Sequence, residues 1–457
     1  MTSFLVRFKK GNMQKSMIEG NTLKLILNFS IPLLLGNLFQ QFYNVFDAAI
    51  VGQTLGSKAL AAVGASSSVQ FLILGFCMGI CQGFAIMVSQ SFGAKKLDEM
   101  HTYIYTGAIW TAITAFVVSI LVVVFCVDIL HILQVNDEIF KDAYAYLVVI
   151  FAGIPFTLLY NYLSAILRAI GDSKTPFLFL AFSAFLNIGL DFFCILVLKW
   201  GCAGAAIATI FAQAVSGILC LLLIAFKVNV LHIPKSSRYV DKKHSLKLLA
   251  MGVPMGLQFS ITAIGSMVMQ SANNALGTIY VSGFTAGMRI KSLMMCPFDA
   301  LGAAVSTFLS QNYGACKLER IHDGYHKGVK VSILYGVFAC VVMVFFGRIL
   351  SMMFVSANES QVLNASALYL RRMGYFYPVL GILITTRMSV QGLGYSARAM
   401  LAGFVEMIAR CVVALCFVPV FKYNAITWAD QTAWVAATLV LIPLWISAMR
   451  TVQKKMS

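Results

Sequence analysis

Ser89-Gln90-Ser91-Phe92-Gly93-Ala94-Lys95-Lys96-Leu97 returns about 221 residues later as Ser310-Gln311-Asn312-Tyr313-Gly314-Ala315-Cys316-Lys317-Leu318. Other landmarks return at nearly the same offset. Leu23-Lys24-Leu25 pairs with Leu246-Lys247-Leu248, Pro32 with Pro254, Pro155 with Pro378, and Gly171-Asp172-Ser173 with Gly394-Tyr395-Ser396. The chain is two homologous halves in series. In an apolar chain this pattern implies a repeat-built membrane transporter, with its sites at or between the halves. A polar group present in one half and missing from the other then marks a candidate for function.

A hydrophobic fraction of 60% with only 11% charged residues excludes an ordinary soluble domain. Apolar runs of about 20 residues recur down the chain, each long enough to cross a bilayer as a helix. The alternating pattern of a membrane barrel is absent. The fold class is therefore all-α integral membrane, with twelve spans near 25–50, 59–88, 103–127, 138–165, 177–198, 203–226, 248–272, 281–308, 330–353, 365–389, 399–421 and 431–449. Six fall in each half. This gives an N-terminal lobe over 1–226, a polar linker over 227–247 and a C-terminal lobe over 248–457.

The net charge is +17, and its placement is the informative part. With the N-terminus in the cytoplasm, the inner side collects Arg7, Lys9, Lys10 and Lys15, the cluster Lys227, Lys235, Arg238, Lys242, Lys243 and Lys247, and most other basic residues. The outer side takes Lys58, Lys141, Lys199, Arg348, Arg371, Arg372 and Lys422. A roughly threefold bias of this kind places both termini in the cytoplasm of an inner membrane. The basic balance reads as topology and contact with anionic lipid, not nucleic acid. The cysteines, Cys77 and Cys81 included, read as small packing residues rather than disulfides or metal ligands. HExxH, GxSxG and Walker A patterns are all missing, so no enzyme is expected. The histidines fall in or beside loops, and His322 with His326 reads as a solvated pair.

Charges away from helix ends are costly in a membrane and mark function by default. Asp47 lies in span 1 and Asp191 in span 5, four residues after Asn187 and so on its face. Span 6 contributes Thr209. Counting from the outer loops at ~1.5 Å per residue puts Asp47 ~10 Å deep and Asp191 and Thr209 ~12 Å deep. Two carboxylates, an amide and a hydroxyl at one level are hard ligands suited to Na⁺ or a proton. The repeat puts Met269 and Ala414 opposite Asp47 and Asp191, so ion binding is expected in the first half alone. Gln40, Tyr43, Tyr146 and Asn161 are candidate cavity liners. Pro32, which removes a backbone hydrogen bond early in span 1, is a candidate hinge. In the second half Glu406 and Arg410 have the spacing of an intrahelical ion pair. Arg289 and Lys291 are open between pairing with Asp299 and contacting an anionic substrate.

These residues resemble the multidrug and toxic compound extrusion family over essentially the whole chain. The resemblance rests on Pro32 with Asn44-Val45-Phe46-Asp47 and Val51-Gly52, the paired Ser-Gln-x-x-Gly-Ala segments, Arg168-Ala169-Ile170-Gly171-Asp172-Ser173, and Trp200-Gly201-Cys202-Ala203-Gly204-Ala205-Ala206. It implies two six-helix lobes set in a V about a pseudo-twofold axis. It also implies export of amphipathic, often cationic, organic compounds in exchange for Na⁺ or H⁺, by a monomer with no cofactor beyond the coupling ion. The cluster Asp47, Asn187, Asp191 and Thr209 matches the family's DinF-like branch. The stretches near Thr262 and from Tyr377 to Ser389 lack the carboxylates of the NorM-like branch. A flippase for a lipid-linked or polyanionic precursor is the alternative, kept open by Arg289, Lys291 and Arg387.

Overall fold

A polypeptide in hydrocarbon must satisfy its backbone polar groups internally, and a helix does so within each segment. The computed structural model describes residues 16–133 and 135–456; Arg7, Lys9, Lys10 and Lys15 lie outside the described residues. The first half contains α1 (Thr22–Leu55), α2 (Ser57–Gly93), α3 (Leu97–Val124), a short α4 (Cys126–Ile132), α5 (Asp137–Ala152), α6 (Ile154–Ala169), α7 (Lys174–Phe192) and α8 (Gly201–Lys227). The second half contains α9 (Lys242–Asn274), α10 (Thr278–Gly314), α11 (Leu318–Ser351), α12 (Ser360–Gly374), α13 (Tyr377–Gly392), α14 (Ser396–Val412), a short α15 (Val418–Phe421) and α16 (Tyr423–Met456). Local signals set the starts of both opening helices. The Asn21 carboxamide accepts from the Lys24 N–H at 3.1 Å, and the Asp241 carboxylate accepts from the His244 N–H at 3.1 Å.

Among the described residues, ten helices are long and apolar enough to cross a membrane singly. The pair α5 and α6, bent by 46°, makes an eleventh span, and α12 with α13 holds the equivalent place in the second half of the repeat. The sequence predicts each of these two as one span, over 138–165 and 365–389. The structure breaks both, because Pro155 and Pro378 sit in the first turn of the second piece and lack the N–H needed to continue the ladder. The last span begins at Tyr423 rather than at 431, which brings Asp430 inside it. Both α7 and α14 end in a five-residue π-helical turn, Phe193–Val197 and Val413–Phe417. The first begins two residues after Asp191.

The buried side chains form two large clusters, one per half, with an exchange at the opening helices. Met17, Ile26 and Phe29 pack into the core of the second half, whereas Ile50 and Val51, further along α1, pack into the first. Symmetrically, Leu248 at the start of α9 joins the first core and Met269 the second. Each opening helix therefore passes from one lobe to the other, with Pro32 and Pro254 lying along the passage. Where α9 crosses α2 the backbones touch. A Cβ on Gly79 would lie 2.7 Å from the Gly256 Cα, and one on Gly83 would lie 2.5 Å from the Gly252 Cα. Two small-xxx-small stripes face each other there, the usual device for close helix approach in a membrane.

The duplicated stretch is the seam between the halves. Each copy ends a helix in the same C-terminal turn. The Lys95 and Lys96 N–H groups donate to Phe92 and Ser91, both at 3.0 Å, and the Cys316 and Lys317 N–H groups to Tyr313 and Asn312 at 3.1 and 2.9 Å. Lys95 and Cys316 close these turns with φ of 58° and 55°. The two glutamines are exchanged across the seam. Gln90 Nε2 donates to the Gly392 carbonyl at 3.0 Å, and Gln311 Nε2 to the Ala169 carbonyl at 2.9 Å. Those carbonyls end equivalent helices of opposite halves. The chain entering α1 is clamped at the same end. Met17 N–H donates to Gln311 Oε1 at 2.8 Å, and Arg320 donates to the Met17 and Gly20 carbonyls at 3.0 and 2.9 Å.

Candidate functional site

The structure brings Asp47, Asn187, Asp191 and Thr209 together inside the first lobe. Asp191, Asn187 and Asp47 are all buried, Asp191 fully so. Helix α1 delivers Asp47, the last turns of α7 deliver Asn187 and Asp191 one turn apart, and α8 delivers Thr209. With its nitrogen turned to the carboxylate, the Asn187 amide donates to Asp191 Oδ2 at 3.0 Å and accepts from the Thr209 N–H at 3.1 Å. The opposite orientation would set its oxygen against a carboxylate oxygen. The carboxyl groups of Asp47 and Asp191 lie within hydrogen-bonding reach of each other. As carboxylates both are acceptors only, and each keeps a buried Oδ1 with no donor among the described residues. Such orphaned acceptors are costly. A proton shared between the acids, or a small hard cation, satisfies them.

The aromatic candidates join this cluster. Tyr43, one turn before Asp47, shares a 2.9 Å hydrogen bond with the Thr209 hydroxyl. Tyr146 is buried beside Gln70, within electrostatic range of Asp47 and Asp191. Gln70 carries no sequence signal that would have singled it out. Gln40, Tyr43, Asn187 and Thr209 line one narrow cleft with Ser183 and Gln213. That cleft offers the centre of a water molecule about 20 Å³, room for about one. Asn161 stands apart from this cleft, its amide donating to the Thr157 carbonyl of its own helix at 2.8 Å. Tyr43 cannot be assigned to substrate independently of the acids, because it touches Thr209. Pro32 is buried within α1, which is helical through it.

The second lobe holds a different constellation. Lys291 Nζ pairs with Asp430 Oδ2 at 2.6 Å, and Tyr369 donates to the same oxygen at 2.8 Å. Arg410 Nε reaches Asp430 Oδ1 at 3.1 Å, its NH2 lies 3.5 Å from Glu406 Oε2, and Arg387 contacts Glu406 directly. The Glu406–Arg410 ion pair exists, as one link of this longer ladder. Lys291 does not pair with Asp299. Eight residues separate them on one helix, ~12 Å at ~1.5 Å per residue. Neither Lys291 nor Arg387 is a free cation, so neither offers the unpaired charge on which the flippase alternative draws. Asp430 was hidden from sequence reading by its place at the edge of the last apolar run. His101, read as a loop residue, is buried in α3, with Nε2 2.8 Å from the Val230 carbonyl.

Membrane-spanning helices in two pseudo-equivalent lobes, each holding its own buried polar cluster, define a membrane transporter rather than an enzyme. The MatE family model matches residues 32–193 and again 254–416, one match in each half. The chain belongs to the MatE family. It is 32% identical over 417 residues to "Probable multidrug resistance protein YpnP" of Bacillus subtilis, covering 90% of both chains. It is 24% identical to "Probable multidrug resistance protein NorM" of Thermotoga maritima, covering 90% of this chain and 89% of the relative. Among solved structures, a MATE transporter in a bent conformation superposes with a TM-score of 0.88 at 21% identity, covering 96% of this chain and 98% of the other.

Proposed function

We propose that this protein is a secondary multidrug exporter of the bacterial inner membrane, with both termini cytoplasmic, that exchanges amphipathic, often cationic, organic compounds for Na⁺ or H⁺. The observation that carries this reading is the pair Asp47 and Asp191, buried together on separate helices with one oxygen each lacking a donor among the described residues. Two carboxylates in a poorly hydrated lobe cannot both stay charged cheaply, so they take up a proton or Na⁺ as a unit. The names of the relatives support the substrate class.

Exchange requires the ion and the substrate to favour different states. Binding of the ion relieves the repulsion across the α1–α7 contact. Helix α1 then rearranges along its passage between the lobes, at or near Pro32, and moves Gln40 and Tyr43 with it. The basic end, sealed by Gln90 and Gln311, is the cytoplasmic gate, and this conformation opens to the outside. Substrate export from proteoliposomes under imposed Na⁺ and H⁺ gradients, each applied alone, tests the proposal. Efflux driven by neither gradient rejects ion exchange.

A further inference from the structure

The ladder in the second lobe has two ends. Its charges alternate as Lys291, Asp430, Arg410, Glu406 and Arg387, with every neighbouring pair in contact. Asp299 comes next, within electrostatic range of Arg387. Among the described residues it has no ion pair within 4.0 Å and no side-chain hydrogen bond. Arg387 is already engaged by Glu406, so the charge of Asp299 is only partly matched.

Asp299 is exposed to solvent although protein surrounds it, as expected of a residue on the wall of an internal water-filled space. Its helix locates that space. One turn earlier on α10, the Cys296 carbonyl receives the Asn37 amide of α1 at 3.5 Å, across the boundary between the halves. This contact sets the stretch of α10 beside α1, and the exposed Asp299 lies one turn further along, near the boundary between the halves. Phe298, the adjacent residue, points the other way and packs on Tyr335 and Tyr377. On the α2–α9 side the glycine stripes close the boundary backbone to backbone, and on the α1–α10 side the Asn37 amide reaches the Cys296 carbonyl across it.

We propose that Asp299 is the carboxylate by which the second lobe recognises the positive group of an organic cation at the boundary between the halves. The proposal rests on the export reading and specifies its substrate contact. A single carboxylate is too poor in oxygen ligands for a divalent metal, which needs about six. Met295, one turn back on the same face, and Ala303, one turn on, supply apolar and adaptable surface for the body of such a compound. The ladder behind Asp299 holds Arg387 away from full pairing, which leaves the carboxylate available to a ligand.

The test measures binding of ethidium, a permanent aromatic cation, and of Nile red, an uncharged aromatic dye, to the full chain in nanodiscs. Asp299→Asn is expected to weaken ethidium about tenfold or more, the effect of losing one close charge pair, and to leave Nile red within about twofold. Asp299→Glu should recover most of the loss. Ethidium should also protect Asp299→Cys, in a cysteine-free background, from a cationic thiosulfonate reagent. This keeps the proposal testable if the Asn variant folds poorly. Unchanged ethidium binding in Asp299→Asn, an equal loss for both dyes, absence of protection, or no ethidium binding by the wild type overturns it. Transport is read separately in proteoliposomes. Charge-selective binding that depends on Asp299, with no gradient-driven transport, retires the export reading and leaves the site standing.

Discussion

Gly93→Ala should pry open the basic end. An added Cβ would lie 2.0 Å from the Gln311 carbonyl oxygen, and real Cβ contacts essentially never fall under 3.0 Å. The opposing atoms are backbone, so no rotamer change relieves the clash and the two helices must separate. Overpacking of this kind costs about 1–3 kcal/mol, and that cost falls on the closed seam alone. It corresponds to about a 5- to 150-fold shift toward conformations in which the seam is open. The assay is the rate at which an impermeant maleimide labels Ser89→Cys, one turn above Gly93, in a cysteine-free background. Ser89 is buried and its hydroxyl lacks a partner among the described residues, so the reporter removes no hydrogen bond seen there. The rate should rise by about thirtyfold, the middle of that range on a free-energy scale. Gly314→Ala, whose Cβ would lie 1.9 Å from the Gln90 carbonyl oxygen, should act alike, and the pair should be less than additive because they strain one contact. Gly64→Ala, with nothing within 4 Å, is the control. Labelling at the wild-type rate in both seam variants refutes the claim that this end is closed by backbone contact.

Asp47→Asn and Asp191→Asn should each abolish gradient-driven export at near-normal membrane levels, and the double variant should be no worse than either, as for residues acting as a unit; retained export in one single variant contradicts a shared site. Asp430→Asn leaves Lys291 and Arg410 facing each other without their common anion. It should cost about 3–5 kcal/mol of stability, read as a large fall in the melting temperature in detergent, and a fall no larger than that of an exposed variant such as Glu138→Gln argues against the ladder. Tyr43→Phe should weaken ion and substrate binding together, since its hydroxyl bonds Thr209, and an effect on substrate alone points to separate sites. Single cysteines placed between Lys227 and Lys247 should resist an impermeant label added outside intact cells, and selective labelling there reverses the assumed orientation.

Much of this protein is written along the chain. The duplication fixes two equivalent halves, because homologous sequences fold alike. Hydrophobic length fixes membrane-spanning helices, because hydrocarbon offers the backbone no other partner. Asp47, Asn187, Asp191 and Thr209 were legible as a cluster because intramembrane acids are few and helix rise converts sequence distance into depth. What the sequence could not supply was direction around each helix axis and partners from distant spans. Asp430 joined Lys291 and Arg410 only once α16 was seen to begin at Tyr423. The sequence leaves Lys291 open between Asp299 and an anionic substrate, and the fold pairs it instead with Asp430 from a distant span. The repeated glutamines were visible as a motif but mute as a device. That each caps a carbonyl of the opposite half follows from how the lobes dock, a long-range arrangement that no local spacing encodes.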